Sequence, residues 1–466
     1  MDKLPNELLL LIAEENIQEF EYMNYLPLLL VCKRWRSLFL SHAYACVKLD
    51  VKQIKSFLVT VQGNPSIATS IVSLQVEASS ITFEVTTNVI SGIRSRVAEL
   101  SQSAEETAEW EKELVRGNHD AWIAVLLTCL SKLSSLHLNS AMLIGKYVRG
   151  IVSRAVARQA AFTPILQELQ TFGFEPMYPG GLWIPFHAGD LPPFFHLPTM
   201  RRVELWWALI DSDNMNGDAT AGLELKRGTL PITEIDSLGN GRHGLIQFIA
   251  ACQNLESFRW RHIDIEVPRK SFRRFRPRAF HRSLSTQKHS LAELWLNHQD
   301  MFDVFSDLEE DEGGEQESKL DPPDNWFGSL ADFVELQELR IRVVNLLDLR
   351  SSCPEPGKAL KNILPGSLER LFITECHAEH TGRVHQELME LFACKTQKFP
   401  NLELLVIACK FLKELEPPAA ARCECVPGSL QKSFIEPIKA AAEGVDVDFR
   451  AAYKIDHYEC YVYATI

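Results

Sequence analysis

Apolar residues recur along this chain in the order Leu-x-x-Leu-x-Leu, with conservative replacements. Copies stand at Ile71-Leu74-Val76, Leu133-Leu136-Leu138, Met200-Val203-Leu205, Leu255-Phe258-Trp260, Leu291-Leu294-Leu296, Leu336-Leu339-Ile341, Leu368-Leu371-Ile373 and Leu402-Leu405-Ile407. A weaker copy at Leu166-Leu169 holds Thr171 in third place, with Phe172 as its substitute. The copies from Leu133 onward start at 133, 166, 200, 255, 291, 336, 368 and 402, so five of the seven intervals lie between 32 and 36 residues. Apolar and polar residues alternate at the end of each unit, which predicts a short strand with one face inward. Between strands the spacing turns helical, as in Leu245–Cys252 and in His385–Cys394. A strand and a helix per unit cannot bury their apolar sides alone, so the units must stack. Within each strand the residue between the two inner positions, and the one two after it, face out across the sheet. That outward set is His137, Asn139, Glu204, Trp206, Arg259, Arg261, Trp295, Asn297, Arg340, Arg342, Phe372 and Thr374.

The first forty residues read differently. Pro5 sits where a helix begins, Glu7 lies near its positive end, and Leu4, Leu8, Leu11 and Ile12 follow at helical spacing. In a second block Leu28, Val31, Trp35 and Leu38 fall on one helical stripe, with Lys33, Arg34 and Arg36 expected to face away. Leu4-Pro5-x-Glu7-Leu8-Leu9 at one end and Val31-Cys32-Lys33-Arg34-Trp35-Arg36-x-Leu38 at the other resemble an F-box over residues 4 to about 45. The resemblance implies a three-helix module that docks the Skp-type adaptor, and through it a cullin, in an SCF-type ubiquitin ligase. The adaptor-binding positions it implies are Leu4, Pro5, Leu8, Ile12, Leu28, Val31, Cys32, Trp35 and Leu38. Asn16 departs from the family pattern, and the linker Gln18–Tyr25 is long and acidic. The rest of the chain is similar to leucine-rich repeats, although a plain α/β domain with leucine-rich strands meets the same degenerate pattern. The expected fold is therefore α/β, with an F-box at 1–45 followed over 46–466 by an irregular, horseshoe-like leucine-rich-repeat solenoid. This layout resembles a fungal type of F-box protein.

Two intervals exceed the repeat. Between 200 and 255 the excess falls on Asp211–Gly244, and between 291 and 336 on an acidic insertion at 303–324 with ten acidic residues against one lysine. Such a segment predicts a solvated loop. Ile93–Val115 reads as one polar helix. Upstream of the acidic insertion, Val267–Ala292 holds eight lysines and arginines and no acid. Interleaved with Phe272 and Phe275, these predict either a solvated loop or a phosphate-and-stacking surface; the net charge of -13 makes nucleic acid an improbable partner. Gly239-Asn240-Gly241-Arg242-His243-Gly244 satisfies a dinucleotide-loop pattern, but inside a repeat it reads as a helix-entry turn. Cys423-Glu424-Cys425 and the set Cys376, His377, His380 and His385 lack a partner pair at zinc spacing, so neither metal nor cofactor is expected.

Composition narrows the class. At 466 residues, 46% hydrophobic and 23% charged, the chain suits a soluble globular protein, with no apolar run of membrane length. Glu7, Glu14 and Glu15 interrupt any secretory layout, and eleven scattered cysteines suit reduced thiols. The expected compartment is cytoplasm or nucleus. No catalytic constellation is legible, which leaves a substrate receptor of a ligase, or an adaptor-bound scaffold acting outside one. Trp206, Arg259, Arg261, Trp295, Arg340 and Arg342 are the candidate target-binding residues, with an acidic or phosphorylated segment as the expected target. Pairing of these arginines with Glu204, Glu293 and Glu338 fits the same pattern.

Overall fold

A computed structural model describes residues 4–17, 27–77, 88–158, 165–175, 186–187, 191–209, 225–240, 245–263, 275–299, 325–349, 356–409, 427–455 and 461–463. The chain divides into two compact units. The first comprises Met1–Leu209, Asn214–Glu224 and Leu230–Ile232, and the second Ile210–Asp213, Leu225–Thr229 and Thr233–Ile466.

In the first unit β1 (Cys46–Asp50), β2 (Ser73–Glu77), β3 (Ser135–Asn139), β4 (Thr171–Phe174) and β6 (Arg202–Leu209) run parallel in that order, and the short β5 (Phe186–His187) lies parallel to β6. In the second unit β7 (Glu234–Asn240), β8 (Ser257–Ile263), β9 (Glu293–Gln299), β10 (Glu338–Arg342), β11 (Arg370–Cys376), β12 (Leu404–Cys409) and β13 (Asp448–Ile455) are also parallel in sequence order. An antiparallel β14 (Tyr461–Tyr463) follows on β13. Each unit is thus a sheet whose strand order is the chain order, the arrangement of a stacked repeat.

The repeated apolar positions explain this order. Leu74, Leu136, Phe172 and Val203 are register partners in the first unit, and Ile235, Phe258, Leu294, Leu339, Leu371 and Leu405 in the second. All ten are buried. Burying such a side chain contributes roughly 1.5–3 kcal/mol, so these columns hold neighbouring repeats together within each unit. The backbone adds a second regularity. At the entries of β2–β4, β6 and β8–β12, two successive N–H groups donate to one carbonyl of the preceding repeat, as in Ser134 and Ser135 to Val72, Gln170 and Thr171 to Ser134, Ala292 and Glu293 to Glu256, and Gln337 and Glu338 to Ala292.

Several expectations need correction. β4 pairs Phe172 with Leu136 and Phe174 with Leu138, so its copy of the pattern is Leu169-Phe172-Phe174, one helical turn later than Leu166. The excess at Asp211–Gly244 contains the strand β7; Ile232 just before it and Ile235 within it are buried, and the buried Ser237 stands at the third position of the pattern, where the other copies are apolar. The single helix expected over Ile93–Val115 is two, Asn88–Leu100 and Ala104–Arg116. The Ser103 hydroxyl accepts the Glu106 N–H at 3.2 Å and starts the second, which ends at Gly117 with φ 80°. The next helix, His119–Leu127, is wholly buried and, beyond His119 and Asp120 in its first turn, apolar on every side. The acidic insertion at 303–324, Arg269–Arg274, Gly241–Gly244 and Cys423–Cys425 lie outside the described residues.

Candidate functional site

At the N-terminus, α1 (Asn6–Ile17) packs on α2 (Lys33–Ala43) around a small core of its own, made of Leu9, Phe39 and Ala43. Leu4, Leu28, Leu29, Trp35, Leu38 and Tyr44 close around it. The helix α2 begins later than the stripe suggested. Cys32 is its N-cap, the sulfur accepting the Trp35 N–H at 3.5 Å, while Leu28 and Val31 belong to a tight turn before it. Arg34, expected to face solvent, instead clamps the two helices. Its Nη2 donates to the Leu4 carbonyl at 2.5 Å and to Asn6 Oδ1 at 2.8 Å, and its Nε to the same Oδ1 at 3.1 Å. Trp35 leans edge-on against Phe39, ring centroids 5.5 Å apart, and supports this core.

The run Leu8-Leu9-Leu10-Leu11 is apolar around the whole helix, and α2 covers only part of it. Leu8 is 45% exposed, Leu11 54%, Leu30 88% and Val31 59%, and Pro5 is exposed as well. Large apolar side chains displayed together on α1 and on the turn that leads into α2 mark a docking surface. Of the remaining positions the resemblance implied, Leu4, Leu28, Cys32, Trp35 and Leu38 are half-buried, and Ile12 lies in α1 with its side chain outside the description.

In the second unit the outward positions of β7–β11 form a ladder of charges and aromatic rings. Arg259 grips Glu293 with two hydrogen bonds, Nε to Oε1 at 2.9 Å and Nη2 to Oε2 at 3.1 Å, and Ser257 donates to the same carboxylate at 2.7 Å. The Arg259 guanidinium lies 4.2 Å from the Trp295 ring centroid, and Arg340 lies 5.1 Å from it. Trp295 Nε1 donates to Glu338 at 2.8 Å, and Arg370 Nε donates to the other oxygen of that carboxylate at 2.6 Å. Arg261 pairs with Asp236 at 2.7 Å. Fork-shaped arginine pairs of this kind are geometrically specific, and half-buried they are less screened than surface pairs.

Strand alternation placed these residues on the right face but not at the right depth. Arg340 and Arg342 are buried, as are Phe372 and Thr374, whereas Arg259, Arg261 and Trp295 are half-exposed. A bulge in β11 between Ile373 and Cys376 is responsible in part. Glu375 there adopts a left-handed φ of 55°, and its carboxylate forms an ion pair with Arg342. Further along the same face Phe372, Val406, Ala408 and Ala452 form a second apolar cluster. The accessible part of the ladder therefore centres on Arg259, Trp295, Glu293 and Arg370.

The first unit carries a shorter polar relay. His137 on β3, Gly173 on β4 and Glu204 on β6 are register partners. His137 reaches across the glycine, Nε2 to Glu204 Oε2 at 3.1 Å, and Arg202 Nε donates to Oε1 at 2.7 Å. Burial alone would raise the Glu204 carboxyl, but His137 and Arg202 together outweigh it and hold the group below the usual carboxylate range. Trp206, on the same strand, is half-buried.

Other sequence candidates resolve differently. Phe275 is no stacking platform: it is buried, with its ring 5.3 Å from both Phe280 and His262. Gly239 is a strand residue paired with His262, and the helix Ile246–Ala251 follows the segment. Among the described residues no group of three or more His, Cys, Asp or Glu is placed to hold a metal ion, and no helix is long and apolar enough to cross a membrane. The profile of the leucine-rich repeat domain family matches residues 191–423, half of the chain. No curated protein matches it.

Proposed function

Because this chain belongs to the leucine-rich repeat family, whose stacked strands generally serve protein–protein binding, we propose that it is the substrate-recognition subunit of an SCF-type cullin-RING ubiquitin ligase. In this reading the F-box-like residues 1–45 dock the Skp-type adaptor, and the repeats hold a target protein in the cytoplasm or nucleus. One observation carries it. The α1–α2 hairpin has its own core, yet leaves Leu8, Leu11, Leu30 and Val31 uncovered among the described residues, where a partner helix would gain apolar contact.

The chain itself performs no chemistry in this reading. Its contribution is proximity: holding a target beside a ubiquitin-charged carrier raises the effective concentration of target lysines. The target faces the second-unit ladder, where Arg259, Trp295 and Arg370 offer the residue types enriched in binding hot spots. Since each accessible arginine already holds a carboxylate, a target presenting phosphate or carboxylate groups must exchange with Glu293 or Glu338, which favours specificity over raw affinity. Affinity purification of the chain from its own cells, with and without proteasome inhibition, tests the proposal. Adaptor and cullin should co-purify in both conditions and a target should accumulate under inhibition. Adaptor without cullin would mean a scaffold acting outside a ligase.

A further inference from the structure

The bulge in β11 brings two thiols together at the ends of neighbouring strands. On β12 the inward positions Leu405, Ile407 and Cys409 are two residues apart, and on β11 the same column begins with Leu371 and Ile373. Strict alternation would send Glu375 inward next and Cys376 outward. The extra residue between Ile373 and Cys376 reverses this: Glu375 turns to Arg342, and Cys376 becomes the register partner of Cys409. Both thiols are free and fully buried, and Cys409 donates its S–H to the Cys376 sulfur. Neighbouring strands lie about 4.8 Å apart, inside the range of roughly 4.4–6.8 Å over which two Cα atoms accept a disulfide. Among the described cysteines no other two are register partners.

We propose that Cys376 and Cys409 form a redox staple, which a peroxide closes into a disulfide that locks β11 to β12. The chemistry needs two electrons, one from each sulfur, and hydrogen peroxide accepts both. Cys409 keeps its proton and shares it with Cys376, so Cys376 is the nucleophile. Its sulfur attacks one peroxide oxygen, the O–O bond breaks, and a sulfenic acid and one water result. Cys409 then attacks the sulfenic sulfur; the S–S bond forms, the S–O bond breaks, and the departing hydroxide leaves with the Cys409 proton as a second water. Burial keeps bulky or charged reagents away from the pair, whereas peroxide is small and uncharged and enters when the strand ends open locally. Closure is therefore slow and answers sustained exposure. The closed staple fixes the bulge, and with it the Glu375–Arg342 ion pair.

The test treats the full chain with excess hydrogen peroxide, blocks the remaining thiols with N-ethylmaleimide during unfolding, and maps unreduced peptides by mass spectrometry. A peptide pair joined through Cys376 and Cys409 should appear, lighter by two hydrogens than the separate thiols, and dithiothreitol should separate it. Closure should raise the melting temperature by about 5 °C, because the cross-link restricts the unfolded chain, and reduction should reverse the rise. Cys409→Ala should lose both the joined peptide and the rise, leaving Cys376 as a sulfenic acid that dimedone traps. Should Cys409→Ala not fold, the peptide map of the natural chain decides the matter. The proposal is overturned if the natural chain gives no joined peptide while the half-buried Cys394 is oxidised, if Cys376 joins a different cysteine, or if folded Cys409→Ala keeps the rise.

Discussion

The notch at Gly173 offers a sharp test of the register in the first unit. A Cβ added to this glycine would lie 2.0 Å from His137 Cδ2, a separation that no real contact tolerates. The obstructing atom belongs to a side chain that can rotate away, so Gly173→Ala should not break β4. It should instead expel His137 and forfeit the bond to Glu204. A hydrogen bond to a charged group contributes roughly 1.5–3 kcal/mol; with the histidine side chain 32% exposed, screening brings this toward the lower end. Alanine returns about 0.5–1 kcal/mol of strand stability that glycine lacks. The net cost of Gly173→Ala is then about 1 kcal/mol. In a His137→Ala background the collision is gone, and the same substitution should stabilise by about 0.5–1 kcal/mol. Urea unfolding of the four members of this cycle measures both terms. Gly173→Ala effects of the same sign in both backgrounds would refute the placement of His137 over β4.

Acid should weaken the fold before its carboxylates titrate. Burial holds His119, His281 and His380 below the ordinary value of 6.5, so the unfolded chain binds more protons there; melting temperature should be level above pH 6.5 and fall below it, and a flat profile to pH 5 would contradict their burial. Thiol reactivity should separate the cysteines. Burial pushes the Cys252 thiol up to about 12, and the hydrogen bond with Cys376 followed by burial raises Cys409, so both should resist Ellman's reagent until the chain unfolds, whereas prompt native labelling would place them at the surface.

Much of the sheet was legible because Leu-x-x-Leu-x-Leu places two inward residues at a fixed offset, and eight full copies each found their strand. The failures have physical causes. At β4 both Leu166 and Leu169 are buried and three residues apart, so the pattern fits in two phases, and only pairing with Leu136 selects the later one. β7 escaped notice because Ser237 fills an inward site that an apolar code does not recognise. Alternation told which face Arg340 and Arg342 share, but depth depends on neighbours such as the bulged Glu375, whose left-handed backbone no spacing rule announces. Arg34 was misread for a related reason. Helical phase marks it as outward from α2, yet its long side chain reaches back to the start of α1.

The central claim is that the N-terminal hairpin is an adaptor-docking surface, and calorimetric titration of a purified Skp-type adaptor into the full chain tests it most directly. Leu8 and Val31 suit the purpose better than Trp35, because they are exposed and lie outside the small core that Trp35 supports. The natural chain should bind. Leu8→Asp with Val31→Asp, at an unchanged melting temperature, should weaken binding by about 30-fold or more, the effect of losing a single hot spot of 2 kcal/mol. No heat of binding with the natural chain, or equal affinity with the folded double variant, would contradict the account.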